Sequence, residues 1–174
     1  MSNELLSFIQ VQIANEWEEY LEELRNCTDE MLTWQPSART HSMGWHFRHI
    51  LEWRYAAVHV VIAGQPNQER LTCLGWEDHP DVRRLVSNPG QWYEPRDTVS
   101  QVLDLAERVR KITDDDLAKF PPEYYFREHQ FPWAKNRLLD EMFEDCVRHS
   151  AMHRGQIREL KKAWARSQGQ RGSA

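Results

Sequence analysis

Hydrophobic residues recur every three or four positions along four stretches of the chain, and Pro, Gly, Asn and Asp gather between them. That is the pattern of amphipathic helices joined by breaks. The first stretch, from about Asn3 to Arg25, carries Leu6, Ile9, Ile13, Trp17, Tyr20, Leu21 and Leu24 as one stripe. Thr28 then stands where it can cap a short turn, and Pro36 stops the helical pattern. A second helix is predicted from near Ser42 to Gly64, where Gln65 and Pro66 follow in the usual order of terminal glycine, then proline. Its polar residues Arg48, Glu52 and His59 fall in one narrow arc among apolar neighbours, so this helix should be mostly enclosed. A third helix is expected from about Asp97 to Leu117, with Val99, Val102, Leu103, Leu105, Ala106, Val109 and Ile112 on its apolar face. A fourth spans about Arg137 to Arg166.

The connections are unusual. Residues 65 to 96 interleave Pro66, Gly75, Pro80, Pro89, Gly90 and Pro95 with Trp76, Trp92 and Tyr93, and a connection of that length inside a compact domain is often functional. Residues 120 to 136 present Tyr124, Tyr125, Phe126, Phe131 and Trp133. These aromatic residues suit either the mouth of a ligand pocket or a contact surface, such as a homodimer interface. Strand-like alternation is weak, and no internal repeat or second domain is visible. The economical fold is all-α, a four-helix bundle with long aromatic-rich connections, forming one domain over residues 1–166 with a flexible tail at 167–174.

Composition narrows the function. The chain has 174 residues with 22 Lys+Arg against 27 Asp+Glu, a formal charge of −5. Phosphate neutralisation needs clustered cations, so a nucleic-acid partner is not expected. The longest near-continuous apolar run, Ala56 to Ala63, is broken by His59 and falls far short of the ~18 residues a membrane span needs. The opening MSNELLSFIQ carries Glu where a signal peptide would carry Lys or Arg, which makes the cytoplasm the expected compartment. Cys27, Cys73 and Cys146 form no CxxC pair and no disulfide framework. Eight histidines and eight tryptophans remain as the distinctive feature, and imidazole serves as proton shuttle and metal ligand.

On the fourth helix the interior stripe reads Leu139, Met142, Phe143, Cys146, His149, His153, Ile157, Leu160 and Trp164. His149 and His153 thus occupy core positions at i, i+4, the spacing that brings two rings of one helix to a single ion. Internal hydrogen bonding to carboxylates or carbonyls is the other way to satisfy them. On the second helix, His49 lies on the strip of Trp45, Trp53, Ala56 and Val60, and His46 also projects into the apolar arc. Spacing alone admits either as a third nitrogen ligand. His41, His59, His79 and His129 lie on polar arcs or in loops and are expected at the surface.

GWHFRHILEW at 44–53 and VRHSAMHRGQI at 147–157 resemble the two signature stretches of the DinB/YfiT-like metalloenzymes. The resemblance implies a four-helix bundle whose metal is held by one histidine of the second helix and two of the last. It maps the first ligand onto His49 and the others onto His149 and His153. It also implies thiol chemistry, since relatives include thiol S-transferases acting with bacillithiol, a maleylpyruvate isomerase acting with mycothiol, and the thiol-binding bundle of an ergothioneine-pathway enzyme. The expected ligand is therefore one divalent ion, zinc first, with nickel or iron(II) also suited to imidazole. The expected partner is a small molecule, such as a low-molecular-weight thiol.

Three neutral nitrogen ligands leave a coordination position open, as catalytic rather than structural zinc sites do. Such an ion can lower the pKa of a bound water or thiol, so the reading is a metal-dependent thiol transferase, with a hydrolase as rival and a non-catalytic bundle as the alternative. Glu52 and Asp145 are candidates to orient the ligand rings, as is His46. Arg154, Gly155 and Gln156 read as packing and capping, with Gly155 expected to admit a close neighbouring helix. Cys146 reads as a small buried hydrophobe. No histidine has Glu three residues before it, which excludes a ferritin-like di-iron site. HExxH, Walker, GxGxxG and GxSxG motifs are absent.

Overall fold

The computed structural model describes residues 3–65, 94–119, 128–131 and 134–171. The predicted stripe of the first segment forms α1, Asn3–Arg25. The Thr28 side chain accepts from Met31 N to start the short helix α2, Asp29–Thr33. Ser42 caps α3, Met43–Tyr55, by accepting from Trp45 N. The chain then widens into a π-helical segment, Ala56–Ile62, and turns off at Gly64 with φ 64°, a left-handed conformation that glycine adopts without steric cost. The third long helix, α4, runs Val99–Leu117. It begins two residues later than the periodicity suggested because Thr98 and Gln101 close a reciprocal capping box.

The fourth helix departs from expectation at both ends. Glu128–Phe131 (β1) and Ala134–Leu138 (β2) pair as an antiparallel hairpin, with Glu128 opposite Leu138 and a register irregularity between His129 and Phe131. Strand-like alternation was too weak to reveal it, because cross-strand pairing rather than periodicity defines so short a ladder. The last helix, α5, therefore starts at Leu139 and continues through Arg171. Residues 167–171, expected to be tail, are helical.

Side-chain pairs fix the helix directions. Along α1 and α5, Arg154 meets Glu16 and Glu19, Arg158 meets Glu19 and Glu23, and Lys161 meets Glu23. Numbers rise together, so these helices are parallel. Along α3 and α4, Arg48 pairs with Asp97, Arg54 with Asp114 and His59 with Asp116, again in parallel. Tyr20 meets Phe47 while Trp17 meets Arg54, and His149 meets His49 while His153 meets His46, so numbers run in opposite directions and α3 is antiparallel to both α1 and α5. The bundle is up-down-down-up, and the parallel step from α3 to α4 accounts for the long connection between them.

The enclosure expected of α3 is realised. Its polar arc is turned inward: Arg48 pairs with Asp97 just before α4, Glu52 is fully buried, and His59 Nδ1 lies 2.5 Å from Asp116 Oδ2 of α4, while beside the arc Arg54 Nε donates to Thr113 Oγ1 at 2.9 Å. His59, expected at the surface, is therefore a bonded, half-buried residue. The core gathers Tyr20, Leu24, Phe47, Leu51, Val102, Val109 and Ile157. Tyr20 stacks on Trp17 at 5.3 Å, meets Phe47 edge-on at 5.4 Å, and donates its hydroxyl to the Phe47 carbonyl at 3.3 Å. Gly44 lets α2 approach α3, since a Cβ there would lie 2.9 Å from the Leu32 carbonyl oxygen, whereas one at Gly155 would meet nothing among the described residues. The close-approach role read for Gly155 belongs to Gly44.

Deleting the Phe47 ring, which has no exposed surface, should cost about 3–5 kcal/mol by cavity formation and lost burial. Neutralising Glu19, about half exposed in the α1–α5 ladder, should cost less than about 1 kcal/mol. Urea denaturation of Phe47→Ala and Glu19→Gln checks both, and equal losses would show that the ladder rather than the core holds these helices together.

Candidate metal centre

The antiparallel crossing of α3 and α5 brings four histidines together. His49, His149 and His153 each offer a ring nitrogen, and these three atoms lie within 4.8 Å of one another. His49 and His153 are buried and His149 is half-buried. The Nε2 atoms of His49 and His149 are 3.0 Å apart. Two nitrogens bound at about 2.0–2.1 Å to one tetrahedral ion stand roughly 3.3 Å apart, so the spacing matches shared ligation. His149 and His153 pack with ring centroids 4.5 Å apart at 67°, as i, i+4 residues of one helix can.

His46 is not in that group. Its Nδ1 faces His153 Nδ1 at 2.9 Å, so where spacing on α3 admitted either His46 or His49, the convergent nitrogen belongs to His49. His46 bonds a member of the triad instead.

All four rings are held neutral. Burial, the largest cause in each case, pushes His46 and His149 down to about 3, His153 to about 4, and His49 well below the usual histidine range. Neighbouring rings depress His46, His49 and His149 further, and Arg148 also lowers His149. Neutral rings carry the lone pairs that a cation requires. His153 Nε2 and His49 Nδ1 are buried with no hydrogen-bond partner among the described residues, a costly state for isolated polar atoms. An ion taken by His153 Nε2 would relieve one of the two, so the donor set fits a divalent metal.

Two indoles brace the rings. Trp45 stacks on His49 at 4.6 Å and 14°, and Trp53 stacks on His149 at 4.6 Å and 22°. Behind Trp45 lies His41, stacked at 3.7 Å and 7°. Its Nδ1 is 2.6 Å from Glu94 Oε1, while Glu94 Oε2 accepts from Ser42 N and Oγ. Although burial works to raise the Glu94 pKa, the hydrogen bonds from His41 and Ser42 outweigh it and hold the carboxyl below its usual range. Glu94 thereby fastens the start of α3 and keeps the column His41, Trp45, His49 in place.

The sequence reading placed His41 at the surface and did not single out Glu94. No local pattern connects residues 53 positions apart. The Trp45, His49, Trp53 repeat at i, i+4 was a readable signal for the brace. Of the candidates to orient the rings, Glu52 is fully buried on α3, whereas the Asp145 side chain lies outside the described residues. So do the side chains of Cys146 and His129, and the residues His79, Cys73, Trp76, Trp92, Tyr93, Tyr124, Tyr125 and Trp133. A cavity of about 260 Å³ reaches the centre, lined by Trp53, Arg148, His149 and Met152.

Comparison with known proteins agrees with the fold. The crystal structure of a DinB-like protein from Bacillus cereus ATCC 10987 superposes with a TM-score of 0.62, covering 90% of this chain and 91% of that one at 14% sequence identity. That likeness is one of fold. No curated protein matches in sequence. The sequence model of the DinB superfamily matches residues 12–157, from the middle of α1 to the second histidine pair and the Ile157 that follows it. The chain belongs to the DinB superfamily.

Proposed function

We propose that this chain holds one divalent cation through His49, His149 and His153 and acts as a metal-dependent thiol S-transferase or a related enzyme. The observation that carries the reading is the convergence of three ring nitrogens within 4.8 Å, contributed by two different helices. Zinc is the first choice for such a nitrogen set, and nickel and iron(II) also suit it. When bound, the ion supplies Lewis acidity that makes a thiol or water acidic enough to react near neutral pH.

The residues around it supply the rest. The histidines are neutral, so they add no negative charge and leave the ion's charge to act on the incoming molecule. Trp45 and Trp53 fix the ring planes and exclude water from their faces. The cavity beside His149 suits a small molecule, with Trp53 and Met152 giving it an apolar wall and Arg148 a cationic one. Arg148 would draw an anionic substrate and hold it next to the reacting atom. Among the described residues no helix is long and apolar enough to cross a membrane, which accords with a small-molecule substrate met in water.

Elemental analysis of protein purified without a nickel column should find about one divalent ion per chain. His153→Ala should lose it, and unchanged occupancy would remove His153 from the ligand set. A screen of low-molecular-weight thiols against chlorodinitrobenzene should give turnover that chelation abolishes. Turnover surviving chelation would exclude the proposed chemistry.

The metal-free fold should be acid-sensitive. Unfolded histidines titrate near 6.5, whereas His46, His149 and His153 in the fold titrate at about 3, 3 and 4. The unfolded chain therefore binds more protons between those values, and linkage makes stability fall as pH drops below about 6.5. Above that pH the contribution is fully present. Metal at about 100 times its Kd should add about 2.7 kcal/mol. Thermal melts from pH 7.5 to 4.5 with and without zinc test this, and a metal-free Tm that stays level across that range would contradict the neutral-ring account.

A further inference from the structure

His46 sits one turn before His49 on α3 and points across to α5, where its Nδ1 lies 2.9 Å from His153 Nδ1. Both residues are buried. Two neutral imidazoles in that contact hold one proton between their facing nitrogens, since two lone pairs repel and two N–H groups clash. There are two ways to place it. If His46 donates, the His153 lone pair is consumed at Nδ1 and its own proton sits on Nε2. If His153 donates, its Nε2 is left with the lone pair, and the second proton of the pair moves to His46 Nε2.

The surroundings favour the second arrangement. His153 Nε2 is buried and makes no hydrogen bond of good geometry among the described residues, with only the Gln156 side chain bearing on its ring as an acceptor, so a proton there would be a poorly satisfied donor. The His46 ring, by contrast, lines a cleft of about 690 Å³ with Arg39, Thr40, His41 and Gln156, where its second N–H can reach water. The tautomer that leaves no N–H buried at His153 Nε2 is also the one that frees that nitrogen as a ligand.

We propose that His46 is a positioning residue: its Nδ1 accepts the His153 Nδ1–H, which fixes the ring and leaves Nε2 as the donor nitrogen of the metal centre. Ligand histidines commonly give their other N–H to a carboxylate or carbonyl. A neutral imidazole in that place orients the ligand without adding negative charge, which preserves the electrophilic strength of the ion. The consequence for metal affinity rests on the proposed metal site, but the tautomer itself is a property of the metal-free chain.

Ring-nitrogen NMR of the 15N-labelled metal-free protein at neutral pH reads the tautomer directly. The expected result is His153 protonated at Nδ1; protonation at Nε2 would overturn the assignment. Two variants read its effect. His46→Phe removes the acceptor and should weaken zinc binding, measured by chelator competition, by about 10–100-fold. His46→Gln offers a side-chain carbonyl to the same proton and should recover most of that loss. The cobalt(II) absorption spectrum should match wild type in the Gln variant, because the ligand set is unchanged. Zinc binding by the Phe variant at wild-type strength would refute the role, and a cobalt spectrum altered in both variants would make His46 a ligand instead. If the wild-type chain takes up no metal, the metal reading fails while the NMR measurement still decides the role of His46.

Discussion

The structure turns on the cost of enclosing four imidazoles at one helix crossing. Burial strips His46, His49, His149 and His153 of water and forces them to be neutral. Neutral rings in van der Waals contact then need partners for both nitrogens, and the crossing supplies too few. A bundle selected for stability alone would fill such a position with leucine or isoleucine, as it does one turn further along α5 at Ile157. A cation taking the spare lone pairs would offset that cost.

Much of the remaining fold serves to hold that crossing. The α1–α5 ladder of Glu16, Glu19 and Glu23 with Arg154, Arg158 and Lys161 sets the register of α5. Arg54 and His59 set that of α3 against α4. Within the ladder, burial works to raise the Glu23 pKa, but the hydrogen bonds from Lys161 and Arg158 outweigh it and lower it. Each exposed pair contributes little by itself, yet a slip of one turn on either helix would move His149 or His49 by about 5.4 Å and dissolve the triad. The indoles of Trp45 and Trp53 then restrict the rings themselves, and Glu94 anchors the near end of that column from outside the helix.

How much of this could be read beforehand follows from range. Helix α1 begins and ends where its apolar stripe does, and Ser42 and Gly64 bound the second segment as capping chemistry dictates. His149 and His153 were visible because i, i+4 spacing on an apolar face is a local property. His49 over His46 is not readable from periodicity, since both project into the same arc; the family resemblance implies His49, and it is the His49 ring that has a nitrogen within 4.8 Å of those of His149 and His153. The β1–β2 hairpin, the Glu94 anchor and the His59–Asp116 bond depend on partners distant in sequence or on pairing too short to leave a period. The extension of α5 to Arg171 escaped for a different reason: SQGQR has no apolar face, and a long helix already nucleated upstream continues through it.

X-ray absorption at the metal edge of the zinc-loaded protein tests the central claim most directly. The account predicts imidazole scattering from three nitrogens at about 2.0–2.1 Å with one or two further light ligands. A shell built from carboxylate oxygens or sulfur, with fewer than three imidazoles, would contradict it.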